Sequence, residues 1–248
     1  RRRNLNSLVE RVLVGDQWER IDHVLTVSEC SRRDIMRHCD VRPSRITVVY
    51  QGVDLERFRP SPSKQSNTGA RPYVLCVAGA DPTKNVETLV DAFARLPLSL
   101  RDAHELVLVG DFRRRQDIRD RVSRVGIEKQ TVFTGVVTDE RLIELYQRAA
   151  LFVFPSRYEG FGLPVLEAMA CGCPVISSNA SSLPEVAGDA AILVDPLDVA
   201  GMTRAMDRVL SDSDLRRALR EKGLVQAAKF SWDQTARDTL AVYQKVAS

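Results

Sequence analysis

The chain has 248 residues, 44% of them hydrophobic and 28% charged, with a net charge of +3. That composition packs a core instead of staying disordered, and so mild a positive charge gives no reason to invoke nucleic acid. No apolar run nears the ~20 residues that cross a bilayer, and Arg1-Arg2-Arg3 is followed by no signal-peptide core.

Five cysteines, Cys30, Cys39, Cys76, Cys171 and Cys173, form an odd set without CxxC spacing. They argue against a disulfide framework or a zinc site and fit small buried residues in a reducing, cytoplasmic setting.

Leu5, Leu8, Val9, Val12 and Leu13 recur at helical spacing and give one apolar face. His23–Val27 reads as a strand, Ser28 as the N-cap of a helix reaching toward His38, and Ile46–Val49 as a second strand, together a β-α-β unit. Residues 57–72, rich in Pro, Ser, Asn and Gly, break periodicity and read as an interdomain linker.

Strand and helix then alternate. Strands are expected at Tyr73–Ala78, Glu105–Val109, Thr131–Thr134, Leu151–Phe154, Pro174–Ser177 and Ala191–Val194. Between them lie a helix face built on Val86, Leu89, Val90, Phe93 and Ala94, a helix over roughly Gln116–Val125, and one capped by Thr138 and running through Ala149. Such alternation predicts a parallel sheet with helices on both faces. The last third reads as helical; Ser231 starts the final helix, with Gln234 completing a capping box.

Open parallel sheets bind ligands beyond the carboxyl ends of their strands. Three strand ends here carry polar or glycine-rich turns. In Gly79-Ala80-Asp81-Pro82-Thr83-Lys84-Asn85 a glycine turn leads to a cation just before a helix, which suits phosphate. On spacing alone a solvated lysine explains it at least as well, and no Walker A pattern is present.

In Pro155-Ser156-Arg157-Tyr158-Glu159-Gly160-Phe161-Gly162-Leu163-Pro164-Val165-Leu166-Glu167, the glycines let backbone approach a ligand closely, and Pro164 suits a first helical turn whose N–H groups attract an anion. Glu159 and Glu167 could accept paired hydrogen bonds from vicinal hydroxyls. Alone, Glu167 is equally an ordinary helix-start glutamate. Gly160-x-Gly162 also imitates a dinucleotide fingerprint, but Val165 occupies the third glycine position. The third turn, Gly135-Val136-Val137-Thr138, could hold a base and by itself says little.

Taken together these segments resemble glycosyltransferase family four, retaining enzymes with two Rossmann-like domains. Glu159 and Glu167, seven residues apart around Gly160-Phe161-Gly162-Leu163-Pro164, match the family signature. Thr26-Val27-Ser28-Glu29, Gly52-Val53-Asp54, Lys84-Asn85, Phe133-Thr134-Gly135, Gly172-Cys173-Pro174-Val175-Ile176, Ser181-Ser182-Leu183-Pro184-Glu185-Val186 and Phe230-Ser231-Trp232 follow in the family's order. Their style is that of mannosyl- and rhamnosyltransferase members.

The resemblance implies the C-terminal half of a GT-B fold. Residues 1–56 would be the tail of an acceptor domain, 57–72 a linker, 73–228 a Rossmann-like donor domain and 229–248 a crossover helix. It implies that Lys84 and Gly79 face the donor diphosphate, that amides of Gly160, Phe161, Gly162 and Leu163 bind phosphates and sugar, and that Glu159 touches the donor sugar. Glu167 would hold the ribose hydroxyls and Val137 would lie by the base. Glu159 and Lys84 would be the catalytic pair.

The activity implied is transfer of a hexose, mannose for preference, from a GDP- or UDP-linked donor to a glycan or lipid-linked acceptor. No metal, cofactor or nucleic acid would be required. Peripheral membrane contact through the missing acceptor domain, at the inner face of the membrane, is a further expectation. A truncated or non-catalytic nucleotide-sugar-binding module is the alternative. A same-fold epimerase or phosphorylase is a third possibility, against which stands the lack of a lysine placed to anchor pyridoxal. The family's usual arginine shortly before the lysine is missing, with Arg113 a candidate substitute, and Gln51 replaces the usual Asn.

Overall fold

A computed structural model describes residues 21–39, 41–61 and 71–247. The helix expected over Leu5–Leu13 and most of the linker, residues 62–70, lie outside the described residues. The chain divides into two compact units. One holds the described residues up to Gly52 and those from Ser231 on; the other is Val53–Phe230.

The smaller unit contains β1 (Val24–Thr26), α1 (Glu29–His38) and β2 (Ile46–Val48), with β1 and β2 parallel. Ser28 caps α1 as expected, its Oγ accepting the Ser31 N–H at 3.0 Å. The final helix, α10 (Trp232–Ala247), starts with Ser231 Oγ accepting the Gln234 N–H at 3.1 Å. The capping box is only half formed. The Gln234 amide instead donates to Asp238 at 2.7 Å and accepts from Arg237 at 3.0 Å, one turn along the same exposed face.

The larger unit is built on six parallel strands: β3 (Tyr73–Val77), β4 (Glu105–Val109), β5 (Thr131–Gly135), β6 (Leu151–Phe154), β7 (Val175–Ser178) and β8 (Ile192–Val194). Every strand expected there is present to within one residue, in the order β5-β4-β3-β6-β7-β8. The helices are α2 (Val86–Ala94), α3 (Leu98–Ala103), α4 (Gln116–Arg124), α5 (Asp139–Arg148), α6 (Leu163–Ala170), α7 (Leu183–Ala187), α8 (Val199–Ser211) and α9 (Ser213–Ala227).

Alternate strand residues serve opposite faces. Val74, Cys76, Leu106, Leu108, Leu151 and Val153 pack with Leu89, Phe93, Ile118, Met202 and Met206 of α2, α4 and α8. On the other face Phe152 meets Tyr146 of α5 at 5.3 Å between ring centroids, and α6, α7 and α9 complete that layer.

The segment expected as linker begins as packed chain. Arg57 pairs with Asp139 at 2.9 Å, Phe58 lies edge-on to Tyr146 at 6.4 Å, and the Arg59 carbonyl accepts from Gln147 at 2.7 Å. Among the described residues no helix is long and apolar enough to cross a membrane.

Candidate functional site

The chain builds β3, β4 and β5 outward in one direction, then returns to lay β6 against the other side of β3. Between β3 and β6 the strand order reverses, and the loops leaving their carboxyl ends diverge around a crevice. Those loops are joined at their base. The Arg157 N–H and Ser156 Oγ both donate to the Thr83 carbonyl, at 2.8 and 3.0 Å.

Across this seam Lys84 Nζ meets Glu159 Oε1 at 2.6 Å, the side chains keeping only 25% and 13% of their exposure. Lys84 Nζ also stands 5.4 Å from the Phe154 ring centroid. Two residues 75 positions apart in sequence, assigned to phosphate and sugar, are thus in direct contact.

The glycine loop is shaped by two constraints. Gly162 has φ +125°, and a Cβ there would lie 2.7 Å from Leu183 Cδ2. It precedes α6 without a side-chain oxygen to cap the first-turn N–H groups, which suits an anion at that end. Below the loop, Ser181 Oγ accepts the Glu159 N–H at 2.9 Å, and Ser182 Oγ donates toward the carbonyls of Phe161 at 2.6 Å and Glu159 at 3.0 Å. The buried Phe161 ring packs edge-on against Phe230 at 5.9 Å, so Gly160 stays exposed while its neighbour anchors. As expected, α6 is short. Cys173 and Gly172 N–H groups turn back to the Ala168 and Met169 carbonyls at 2.9 Å each, and Pro174 follows.

Glu167 sits half-buried in α6, where Tyr146 Oη donates to its Oε2 at 3.1 Å. Burial holds the Tyr146 phenol well above its usual range, so it keeps the proton that it donates to the carboxylate. Burial also pushes the Glu167 carboxyl above the usual carboxylate range, the Tyr146 hydrogen bond pulling the other way. In the unfolded chain this carboxyl gives up its proton first, so the protein loses stability as pH rises between the unfolded and folded values. Glu167→Gln should therefore melt progressively higher than the unaltered, ligand-free chain as pH rises through that window, and the gap should close below it. A gap independent of pH would mean that Glu167 is held there at no expense.

A cavity of about 480 Å³ opens at the ends of β4 and β5, walled by Gly110, Asp111, Phe112, Arg113, Arg119, Phe133, Thr134, Gly135 and Val136. It borders the seam through Gly79, whose Cβ position is 3.7 Å from the Asp111 nitrogen. A register shift between Leu108 and Val109 leaves Thr134 as an extra residue in β5. Val137, expected beside a base, is half-buried and is not part of the wall; its neighbour Val136 is. Arg113 does reach the cavity, where its exposed guanidinium donates two hydrogen bonds to Asp111, of 2.9 and 2.7 Å.

The chain is similar to known proteins. Residues 58–225 match the family described as Glycosyl transferases group 1, and residues 1–57 that described as Glycosyltransferase Family 4. The chain belongs to the group 1 glycosyltransferases. It is 34% identical over 232 residues to the serotype-specific mannosyltransferase WbdA of Escherichia coli, covering 89% of this chain and 28% of that protein. Identity is 35% over 228 residues to O-antigen chain mannosyltransferase B of Escherichia coli, with 89% and 60% covered. It is 37% over 230 residues to MMP alpha-(1->4)-mannosyltransferase of Mycolicibacterium hassiacum, with 91% and 54% covered. The chain thus spans 28% to 60% of the length of these relatives.

Among solved structures, sucrose-phosphate synthase from Thermosynechococcus elongatus superposes with a TM-score of 0.84 at 28% identity, over 99% of this chain and 63% of that one. Anabaena HepE in complex with UDP and glucose gives 0.84 at 21% identity, over 97% and 67%, a likeness of fold.

As a group 1 glycosyltransferase the chain shows several residues that sequence reasoning left without a role. Tyr146 lies 21 positions before Glu167, with nothing local to link them. Arg157 and Asn85 lie at the seam: Arg157 Nη2 donates to Asn85 Oδ1 at 2.7 Å and to Glu87 at 3.1 Å. Ser181, with φ 53°, is a strained non-glycine residue directly beneath Glu159. Among the described residues no group of three or more His, Cys, Asp or Glu is placed to hold a metal ion.

Proposed function

We propose that this chain binds the nucleotide-diphosphate-sugar donor of a retaining glycosyltransferase, and that the protein containing it transfers a hexose, mannose for preference, to a glycan or lipid-linked acceptor. The observation that supports this most is the Lys84–Glu159 pair, set across the β3/β6 seam beside the uncapped start of α6. Mannosyltransferase relatives favour the sugar, and the UDP in a structure of the same fold favours the nucleotide class.

Departure of the diphosphate leaves negative charge on the phosphates and positive charge on the sugar. Lys84 and the α6 N-terminus answer the first, so the leaving group needs no metal ion. Glu159 touches the sugar. Glu167, its Oε2 held by Tyr146, presents Oε1 to the ribose diol. The cavity at β4 and β5 takes the base.

Titration with GDP, UDP and the matching nucleosides tests the reading. Diphosphates should bind more tightly than nucleosides, and Glu167→Gln should weaken diphosphate binding by about 1–3 kcal/mol. Failure of the unaltered chain to bind any nucleoside diphosphate would sink it.

A further inference from the structure

We propose that Asn85 is a positioning residue for Lys84, an inference that rests on the donor-site reading above. Asn85 is completely buried and follows Lys84 directly, in a left-handed backbone conformation with φ 55° and ψ 38°. An Asn just before a helix ordinarily caps it through its side chain. Here the side chain makes no capping bond to α2.

Apart from the Thr88 hydroxyl of α2, its partners lie in other loops. Nδ2 donates to the Pro155 carbonyl at 2.9 Å and to the Pro196 carbonyl at 2.7 Å. Oδ1 accepts from Thr88 Oγ1 at 2.9 Å and from Arg157 Nε and Nη2 at 3.0 and 2.7 Å. Turning the amide over would set donors against the guanidinium and an oxygen against two carbonyls, so only one orientation fits.

One buried side chain therefore ties together the loops that follow β3, β6 and β8. The first carries Lys84 and the second carries Glu159. Holding both ends of that seam sets where the Lys84 ammonium stands relative to the start of α6. No other residue of this size keeps both halves of the network. Aspartate keeps the contacts to Thr88 and Arg157 but lacks both donors. Glycine tolerates the left-handed backbone yet makes no side-chain bond, which makes Asn85→Gly a test of the side chain without added backbone strain.

The test is a double-mutant cycle read by GDP and UDP titration. Asn85→Gly should weaken diphosphate binding roughly tenfold when Lys84 is present and less than about twofold in the Lys84→Ala background, because the two act through one contact. Nucleoside affinity should hardly move. Asn85→Asp, checked for folding by circular dichroism, should repeat the diphosphate loss. An equal loss in both backgrounds would make Asn85 merely structural, and full diphosphate affinity in a folded Asn85→Asp would also overturn the proposal. No diphosphate binding by the unaltered chain would remove the donor-site reading and this inference with it.

Discussion

Replacing Lys84 with alanine should weaken nucleoside diphosphate binding by about 1.5–3 kcal/mol, whereas replacing Glu159 with glutamine should strengthen it. The opposite signs follow from the 2.6 Å pair. With no ligand bound, the Lys84 ammonium is neutralised by Glu159, so an incoming diphosphate must displace a carboxylate. Glutamine removes that competitor and keeps the shape. The gain applies to nucleoside diphosphates, which lack the sugar; with a full nucleotide sugar, Glu159→Gln should lose the contact to the hexose. Lys84→Ala should also flatten the decline of affinity with added salt. Calorimetric titration of both variants with GDP and UDP decides the matter. A loss of diphosphate affinity in both would make Glu159 a diphosphate ligand, not a rival for Lys84.

The second large effect concerns Gly110, at the end of β4. Its φ is +131°, and a Cβ there would lie 2.0 Å from the Ala78 carbonyl oxygen and 2.8 Å from its carbon. The obstacle is backbone just past the end of β3, which cannot swing aside as a side chain can. Gly110→Ala should cost about 2–4 kcal/mol of stability. Gly126 is the control: its φ is +72°, but nothing lies within 4 Å of its Cβ position. Gly126→Ala should cost only about 1 kcal/mol, the penalty of left-handed backbone alone. Urea unfolding of both variants measures the difference. Equal effects would mean that β3 and β4 separate there without penalty.

What could be read from the sequence was what local chemistry encodes. Strand positions followed from apolar runs closed by Gly or Pro, as at Glu105–Val109 and Leu151–Phe154. Ser28 and Thr138 were legible as caps because a cap is a bond to a residue three positions on. The contact between Lys84 and Glu159 was not legible, because it depends on which strand lies beside β3. Nor was the donor from Tyr146 to Glu167, or the three-loop role of Asn85, since each partner lies in a different loop or helix. The half-formed capping box failed for a related reason. Gln234 had a choice of exposed partners, and its contacts to Asp238 and Arg237, the latter taking the amide oxygen, prevailed over the return to the Ser231 N–H. The packed start of the expected linker was hidden because its Pro and Ser content conceals the anchors Arg57, Phe58 and Arg59.

The strand order also governs the sequence of events in folding. β3, β4 and β5 are consecutive in the chain and adjacent in the sheet, so they can assemble over short loops. Pairing β3 with β6 joins Val74 to Leu151, and it must wait for a much longer loop to close. The loops bearing Lys84 and Glu159 stand on opposite sides of that late seam. A refolding chain should therefore regain helix and strand signals before it regains affinity for ligand, because no half of the sheet contains a working fraction of the site.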